Sequence, residues 1–426
     1  MRTLYLCYFG IREPLVRTQV LPYLRQLAAG GIDVSLLTFE PDLRAKWSDD
    51  EAEAMRAKMA AEGIGWHFLP YHKWPSLPAT LYDIVAGAWY SARLAKRERI
   101  EIFHGRAHVA AAMGALAKRI IGGKLIFDIR GFMPEEYTDA GIWKENGWLY
   151  RGMKAVERWL MKSSDAFIVL TERAREILFP GCTNEDERGK PIEVIPCCVD
   201  LQRFQHTASR REVRREMGLE RRRVIVYVGS FGGWYLTDEM MDFFAVAHRQ
   251  DRSSFALILT QSDRNEIEHR LIGMGLGEQD FLVGVAAPSD IPRYLKAADV
   301  ALSFIRICYS KQASSPTKIA EYLISGLPIV SNAGIGDLDG LIEGERVGRL
   351  VREFTPECYR RVLNEIDELR EDENLIARCR DVALAQFDLE CVGGVRYRRL
   401  YERLRCTTNL IPSLRLGLPW FCFWRR

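Results

Sequence analysis

Ser314-Ser315-Pro316-Thr317-Lys318-Ile319-Ala320-Glu321-Tyr322-Leu323 is written like the beginning of a helix. Ser315 suits an N-cap, and Pro316 suits the first helical position, where its missing N–H costs nothing. Such an end presents unpaired backbone N–H groups and the positive end of the helix dipole, which together attract an anion. Lys318 adds a formal charge in the first turn. Glu321 falls three residues on, on the same face. A phosphate at the tip and a carboxylate one turn deeper, accepting hydrogen bonds from ribose hydroxyls, suit a nucleotide. Taken alone, the stretch reads equally well as a capped helix with an i,i+3 ion pair. Behind it, Gly326-Leu327-Pro328-Ile329-Val330-Ser331-Asn332 reads as a buried strand.

Working outward, the same alternation recurs along the chain. Apolar runs at 3–9, 33–39, 100–104, 124–128, 166–170 and 193–196 read as strands, with helical periodicity between them. One helix is expected to carry Val16, Val20, Leu24 and Leu27, and others cover 48–62, 77–97, 107–120 and 146–163. Glu135 and Glu136 read as part of a loop. After a polar, arginine-rich stretch at 205–223 the pattern restarts with Val224-Ile225-Val226-Tyr227-Val228-Gly229-Ser230. Strands then follow at 255–260, 281–284 and 300–304. Strand–helix–strand repeats of this kind build parallel sheets. Two such units imply a cleft at the carboxyl ends of their strands, where open parallel sheets bind ligands. The expected division is 1–204, 205–385 and 386–426, the last being a helix and a tail.

Composition excludes several alternatives. The 426 residues carry 60 basic and 57 acidic side chains, a net charge of +3, which does not ask for nucleic acid. Ten cysteines are scattered without a C-x-x-C pair, as in a reduced chain. The N-terminal apolar run is short and reads as a first strand. No run approaches the ~18 apolar residues that span a bilayer. Gly229-Ser230-Phe231-Gly232-Gly233 does not fit G-x-G-x-x-G, which argues against a dehydrogenase.

Several ordered motifs resemble the retaining glycosyltransferases of family 4, which have the GT-B fold. Val194-Ile195-Pro196-Cys197-Cys198-Val199-Asp200-Leu201-Gln202-Arg203-Phe204 resembles the inter-domain signature. Tyr227-Val228-Gly229-Ser230 resembles the first strand and loop of the donor domain. Ser315-Pro316-Thr317-Lys318 through Val330 resembles the nucleotide-sugar site. Phe387-Asp388 and the Tyr397–Tyr401 helix resemble the C-terminal end. The likeness is good over 190–405 and mainly topological over 1–189. It implies an α/β fold of two Rossmann-like, doubly wound domains facing a cleft, with the C-terminal helix crossing back to the first. It also implies sugar transfer from a nucleotide diphosphate sugar without metal or other cofactor, with dipoles and cations stabilising the departing diphosphate.

Carried over position by position, the resemblance makes Glu321 the ribose carboxylate and Ser315, Pro316, Thr317 and Lys318 the phosphate-facing tip. Gly229 and Ser230 join them on the donor side; Gly10, ending the first strand, reads as a donor-side approach to phosphate or equally as a tight βα turn. Two departures stand out. The first acid of the family's pair would fall at Ala313, and the cations expected after Gly229 are missing until Arg249. The diphosphate must then be met by Lys318, Lys311, Arg306 or, across the cleft, Arg130. Asp128 and Arg130, at a strand's carboxyl end, are the catalytic candidates. Arg106, His108 and Glu135 are weaker acceptor-side candidates, weighed against capping and solvation. His104 and His108 lack a third ligand nearby for a metal. Trp234 and Tyr235 read as sugar contacts or as core.

The implied function is transfer of a sugar to a glycan, lipid-linked or small-molecule acceptor. The alternatives are a catalytically silent nucleotide-sugar-binding subunit of a polysaccharide-assembly complex, or a GT-B-fold sugar-nucleotide epimerase. The expected location is cytoplasmic, with association on the inner face of a membrane through 409–426. There Trp420, Phe421, Phe423 and Trp424 interleave with arginines, a composition that suits an interface as well as a tail folded on the first domain.

Overall fold

The computed structural model describes residues 1–205 and 208–406, so the expectation placed on 409–426 lies outside it. The first sheet is fully parallel. Its strands are β1 (Arg2–Cys7), β2 (Asp33–Glu40), β3 (Ile64–Pro70), β4 (Ile102–Arg106), β5 (Lys124–Asp128), β6 (Ala166–Val169) and β7 (Ile192–Val194), in the order β3-β2-β1-β4-β5-β6-β7. The second comprises β8 (Arg223–Val228), β9 (Ser254–Leu259), β10 (Phe281–Gly284), β11 (Val300–Ser303), β12 (Ile329–Asn332) and β13 (Gly348–Val351), ordered β10-β9-β8-β11-β12-β13. Both are doubly wound. Strands covered on both faces are apolar throughout, as in Val224-Ile225-Val226-Tyr227, which is fully buried.

Differences from the sequence expectation have local causes. The helix through Val16 to Leu27 is two helices, Pro14–Gln19 and Leu21–Ala29, broken at Val20 (φ −124°, ψ −64°). Pro22 lacks the N–H that would continue the ladder across that point. Glu135 and Glu136 lie in the first turn of a helix, Met133–Asp139, that begins around Pro134. β13 had no counterpart in the sequence reading. Gly348-Arg349-Leu350-Val351 is too short an edge strand to show a period.

Two segments connect the sheets and run side by side. The Val199 N–H donates to the Phe387 carbonyl (2.8 Å), and the Leu389 N–H donates to that of Val199 (3.1 Å). The last helix, Val395–Cys406, then returns to the first sheet. There Tyr397, Leu400, Tyr401 and Leu404 pack with Tyr5, Ile102 and Ile126 in one core.

Candidate functional site

The carboxyl edges of the two sheets face each other, because the loops leaving them are bonded together. Thr171, following β6, donates through Oγ1 to the Gln312 carbonyl (3.0 Å). The N–H groups of Glu172 and Arg173 donate to the Asp337 carboxylate at 2.7 and 3.0 Å. The loop after β11 reaches the Met133–Asp139 helix: Lys311 Nζ meets Glu136 at 3.1 Å, and the Ser310 N–H donates to Asp139 at 2.9 Å. Ala313 is buried within the first domain's core. A carboxylate there would be desolvated at the domain boundary.

The helix that opened the sequence reading runs Thr317–Ile324. Its N-cap is Pro316, one residue later than expected, and no side chain caps it. The Ser315 hydroxyl is instead turned across the boundary, where it accepts the Cys197 N–H at 3.1 Å.

Lys318 points inward from the first turn. Its Nζ lies 4.3 Å from the centroid of the Tyr227 ring and 4.1 Å from that of Tyr235. The amine is buried without a hydrogen-bond partner. Burial pushes its pKa from the ordinary 10.5 down to about 7, against the opposing pull of Glu321. Ring faces attract a cation but do not replace an anion. Gly229 makes the arrangement possible: its φ is +146°, and a Cβ there would stand 2.7 Å from Lys318 Nζ. Lys318 thus stands directly in front of the glycine after β8, where the chain lacks its own cation.

The i,i+3 ion pair of Lys318 with Glu321, which the alternative reading as a plain capped helix offered, is absent among the described contacts. Glu321 accepts from Arg203 at 3.3 Å, and Arg203 also donates to the Pro288 carbonyl at 3.1 Å. Burial raises the Glu321 pKa, and Arg203 opposes the rise. Lys311 lies over the Trp234 ring at 3.8 Å. Trp234 and Tyr235 therefore both back lysines, on a loop bonded to the end of β11 through Arg306 N–H to the Trp234 carbonyl (2.8 Å). Ser230 is exposed, and its carbonyl accepts the Tyr227 hydroxyl at 2.6 Å. Gly10 meets the protein itself: a Cβ there would lie 2.9 Å from a Glu40 carboxylate oxygen.

Asp128 is completely enclosed. Tyr5 and Tyr397 donate to it at 3.3 and 3.4 Å, and Arg130, His104 and Arg106 lie 3.5, 3.7 and 3.7 Å away. Burial would raise its pKa; Arg130, His104 and Arg106 overcome that and hold the carboxyl below its ordinary range. Enclosed under the last helix, Asp128 positions Arg130 in this state. Arg130 in turn approaches Cys197 Sγ (3.6 Å), whose backbone N–H holds Ser315.

Arg106 is buried, with the Tyr5 hydroxyl and the Gln19 carbonyl at 3.5 and 3.4 Å, and does not open to the cleft. His108 meets Glu157 at 3.3 Å, and Glu135 meets Lys154 at 3.0 Å. Lys154 also pairs with Glu157, so these two acceptor-side candidates belong to one internal network. No group of three or more His, Cys, Asp or Glu among the described residues is arranged to hold a metal. A cavity of about 200 Å³ lies beside the helix tip, lined by Thr171, Ser315, Pro316, Asp337, Phe387 and Arg396. It includes Ser315 and Pro316 but not Lys318 or Glu321, and is smaller than the roughly 300 Å³ usual for ligand pockets.

Sequence reasoning missed Arg203, Tyr227 and the partnership of Glu136 with Lys311. Arg203 was visible only as part of the inter-domain signature.

Residues 16–203 match the model of Glycosyltransferase Family 4. That match spans less than half of the 426 residues. The match falls on the half whose motifs resembled the family only in topology, and the stronger run over 190–405 lies almost wholly outside it. No curated protein matches the chain. The structure is similar to sucrose-phosphate synthase from Thermosynechococcus elongatus (16% identity, 95% of this chain and 99% of that one, TM-score 0.70). It is similar also to Anabaena HepE in complex with UDP and glucose (14%, 96% and 100%, TM-score 0.63). A third likeness is WaaG, a glycosyltransferase involved in lipopolysaccharide biosynthesis (17%, 93% and 98%, TM-score 0.63). The two sheets and their helices form a GT-B fold.

Proposed function

We propose that this chain is a glycosyltransferase that moves a sugar from a nucleotide diphosphate sugar to a glycan, lipid-linked or small-molecule acceptor, with retention and without a metal. The observation that carries it is the buried Lys318 amine, unpaired at a helix N-terminus between two domains of this fold. A diphosphate supplies the missing anion. Lys318, backbone N–H groups at the tip and, across the boundary, Arg130 would stabilise the departing charge. Glu321, held by Arg203, faces the ribose. Nucleotides bound to Anabaena HepE support this choice of ligand by likeness of fold.

Titration calorimetry with UDP, GDP and ADP, alongside transfer assays over a panel of nucleotide sugars, tests the proposal. Saturable binding of one diphosphate, weakened in both Lys318→Ala and Glu321→Ala, is the expected result. Unchanged affinity in both variants would sink the assignment.

A second function has its own support. Ala313 replaces an acid that the family resemblance places near the donor sugar, and it is buried in the first domain's core. A silent nucleotide-sugar-binding subunit fits that loss. It predicts binding with no turnover on any donor.

A further inference from the structure

The Ser76–Glu98 helix buries one side against the Ala107–Ile121 helix through Ala79, Gly87, Ala88, Ser91 and Ala92. The opposite side is apolar where a solvent face should be polar. Leu77, Leu81, Val85 and Trp89 follow at intervals of four, one ridge of the helix, with Tyr82 beside them. The ridge is about 18 Å long at the helical rise per residue. Val85 is 64% and Trp89 61% exposed, and Trp74, just before the helix, is 82% exposed. A contiguous apolar strip of this kind marks an interaction surface.

Along the chain from Lys73 to Arg97, the exposed charges are all cations. Arg93 and Lys96 continue the exposed face, with Arg93 over the Trp89 ring at 5.7 Å, and Lys73 precedes Trp74. The single acid between His72 and Arg97 is Asp83, which is buried and bound to the Tyr8 hydroxyl (2.7 Å) and His72 Nδ1 (2.6 Å). A second copy would bring cations against cations. The chain's own 407–426 stretch has arginines and no acid, so it offers no counter-charge either. An anionic lipid surface supplies both what the ridge and what the cations need.

We propose that the Leu77–Trp89 ridge, with Arg93 and Lys96, docks on the interfacial region of an anionic bilayer. The helix lies in the membrane plane, with Tyr82 and Trp89 at headgroup level. This surface is separate from the nucleotide site and does not depend on the function proposed for it.

The test is co-sedimentation of the full-length protein with vesicles of phosphatidylcholine, alone or mixed with phosphatidylglycerol. The protein is expected to pellet with the mixed vesicles and to dissociate as salt screens the attraction. Arg93→Ala and Lys96→Ala should each weaken partitioning about fivefold. Val85→Asp should abolish it while leaving thermal unfolding and nucleotide binding unchanged, because the side chain is exposed. If Val85→Asp misfolds, the two cation variants still decide. The proposal is overturned by absence of vesicle binding, by binding indifferent to all three substitutions, or by a concentration-dependent dimer that Val85→Asp dissolves.

Discussion

Lys318 Nζ lies 4.1 Å from the centroid of the Tyr235 ring, and among the described residues it has no hydrogen-bond partner. The protein therefore holds an amine in its interior without a hydrogen-bond acceptor, a cost that the diphosphate proposed above would relieve.

Replacing the amine with a thioether of similar length separates stability from binding. Lys318→Met should stabilise the free protein by about 1–3 kcal/mol, as when buried charges give way to apolar groups. Nucleotide diphosphate affinity should fall by about tenfold or more, the loss of a charge-assisted hydrogen bond. Urea unfolding and calorimetry on the same variant check both signs.

The same group predicts a pH dependence. Its pKa is about 7 when folded and near the ordinary 10.5 when unfolded. Between these values the unfolded chain binds a proton that the native chain does not, so this contribution makes stability rise with pH. The wild type minus Lys318→Met difference should therefore grow more favourable from pH 7 towards pH 10. A diphosphate beside the amine reverses the preference. Nucleotide binding at pH 8 should take up a proton, seen as a binding enthalpy that varies with the buffer's ionisation enthalpy.

Gly229→Ala strains a positive φ and sets a methyl group against Lys318 Nζ and, at 3.1 Å, the Tyr227 hydroxyl. About 1–3 kcal/mol of destabilisation is expected, together with weaker nucleotide binding as Lys318 is displaced. Unfolding and binding curves that match the wild type would contradict the cage geometry.

Asp128→Asn removes the charge that Arg130, His104 and Arg106 face. The loss should exceed about 3 kcal/mol, because buried cations are left without their counter-charge. Tyr397→Phe, which deletes one neutral donor, should cost only about 1 kcal/mol. Denaturant midpoints of the two variants give the comparison.

Arg203 and Glu321 should act as a unit. A double-mutant cycle on nucleotide binding, using Arg203→Ala and Glu321→Ala, is expected to show a coupling of at least about 0.5 kcal/mol. Additive effects would show that the pair forms only in the unliganded protein.

Much of the architecture was legible in the chain itself. Runs such as Val224–Val228 and Lys124–Asp128, separated by helical periodicity, were enough for two parallel sheets, because burial on both faces requires continuous apolar strands. Pro316 and Lys318 placed a helix tip in the right loop, since Pro at a helix entrance is a local preference. The terminal helix was readable from Tyr397, Leu400, Tyr401 and Leu404. Contacts between distant segments were not. Lys318 meets Tyr227 and Tyr235 from another part of the sheet, Glu321 meets Arg203 from the linker, and Asp128 meets Tyr5 and Tyr397 from opposite ends of the chain. Local spacing suggested that Lys318 and Glu321 pair with each other. Folding gave each a different partner, because side-chain charge and aromatic faces act over a few ångströms of space, and only the packed chain sets those distances.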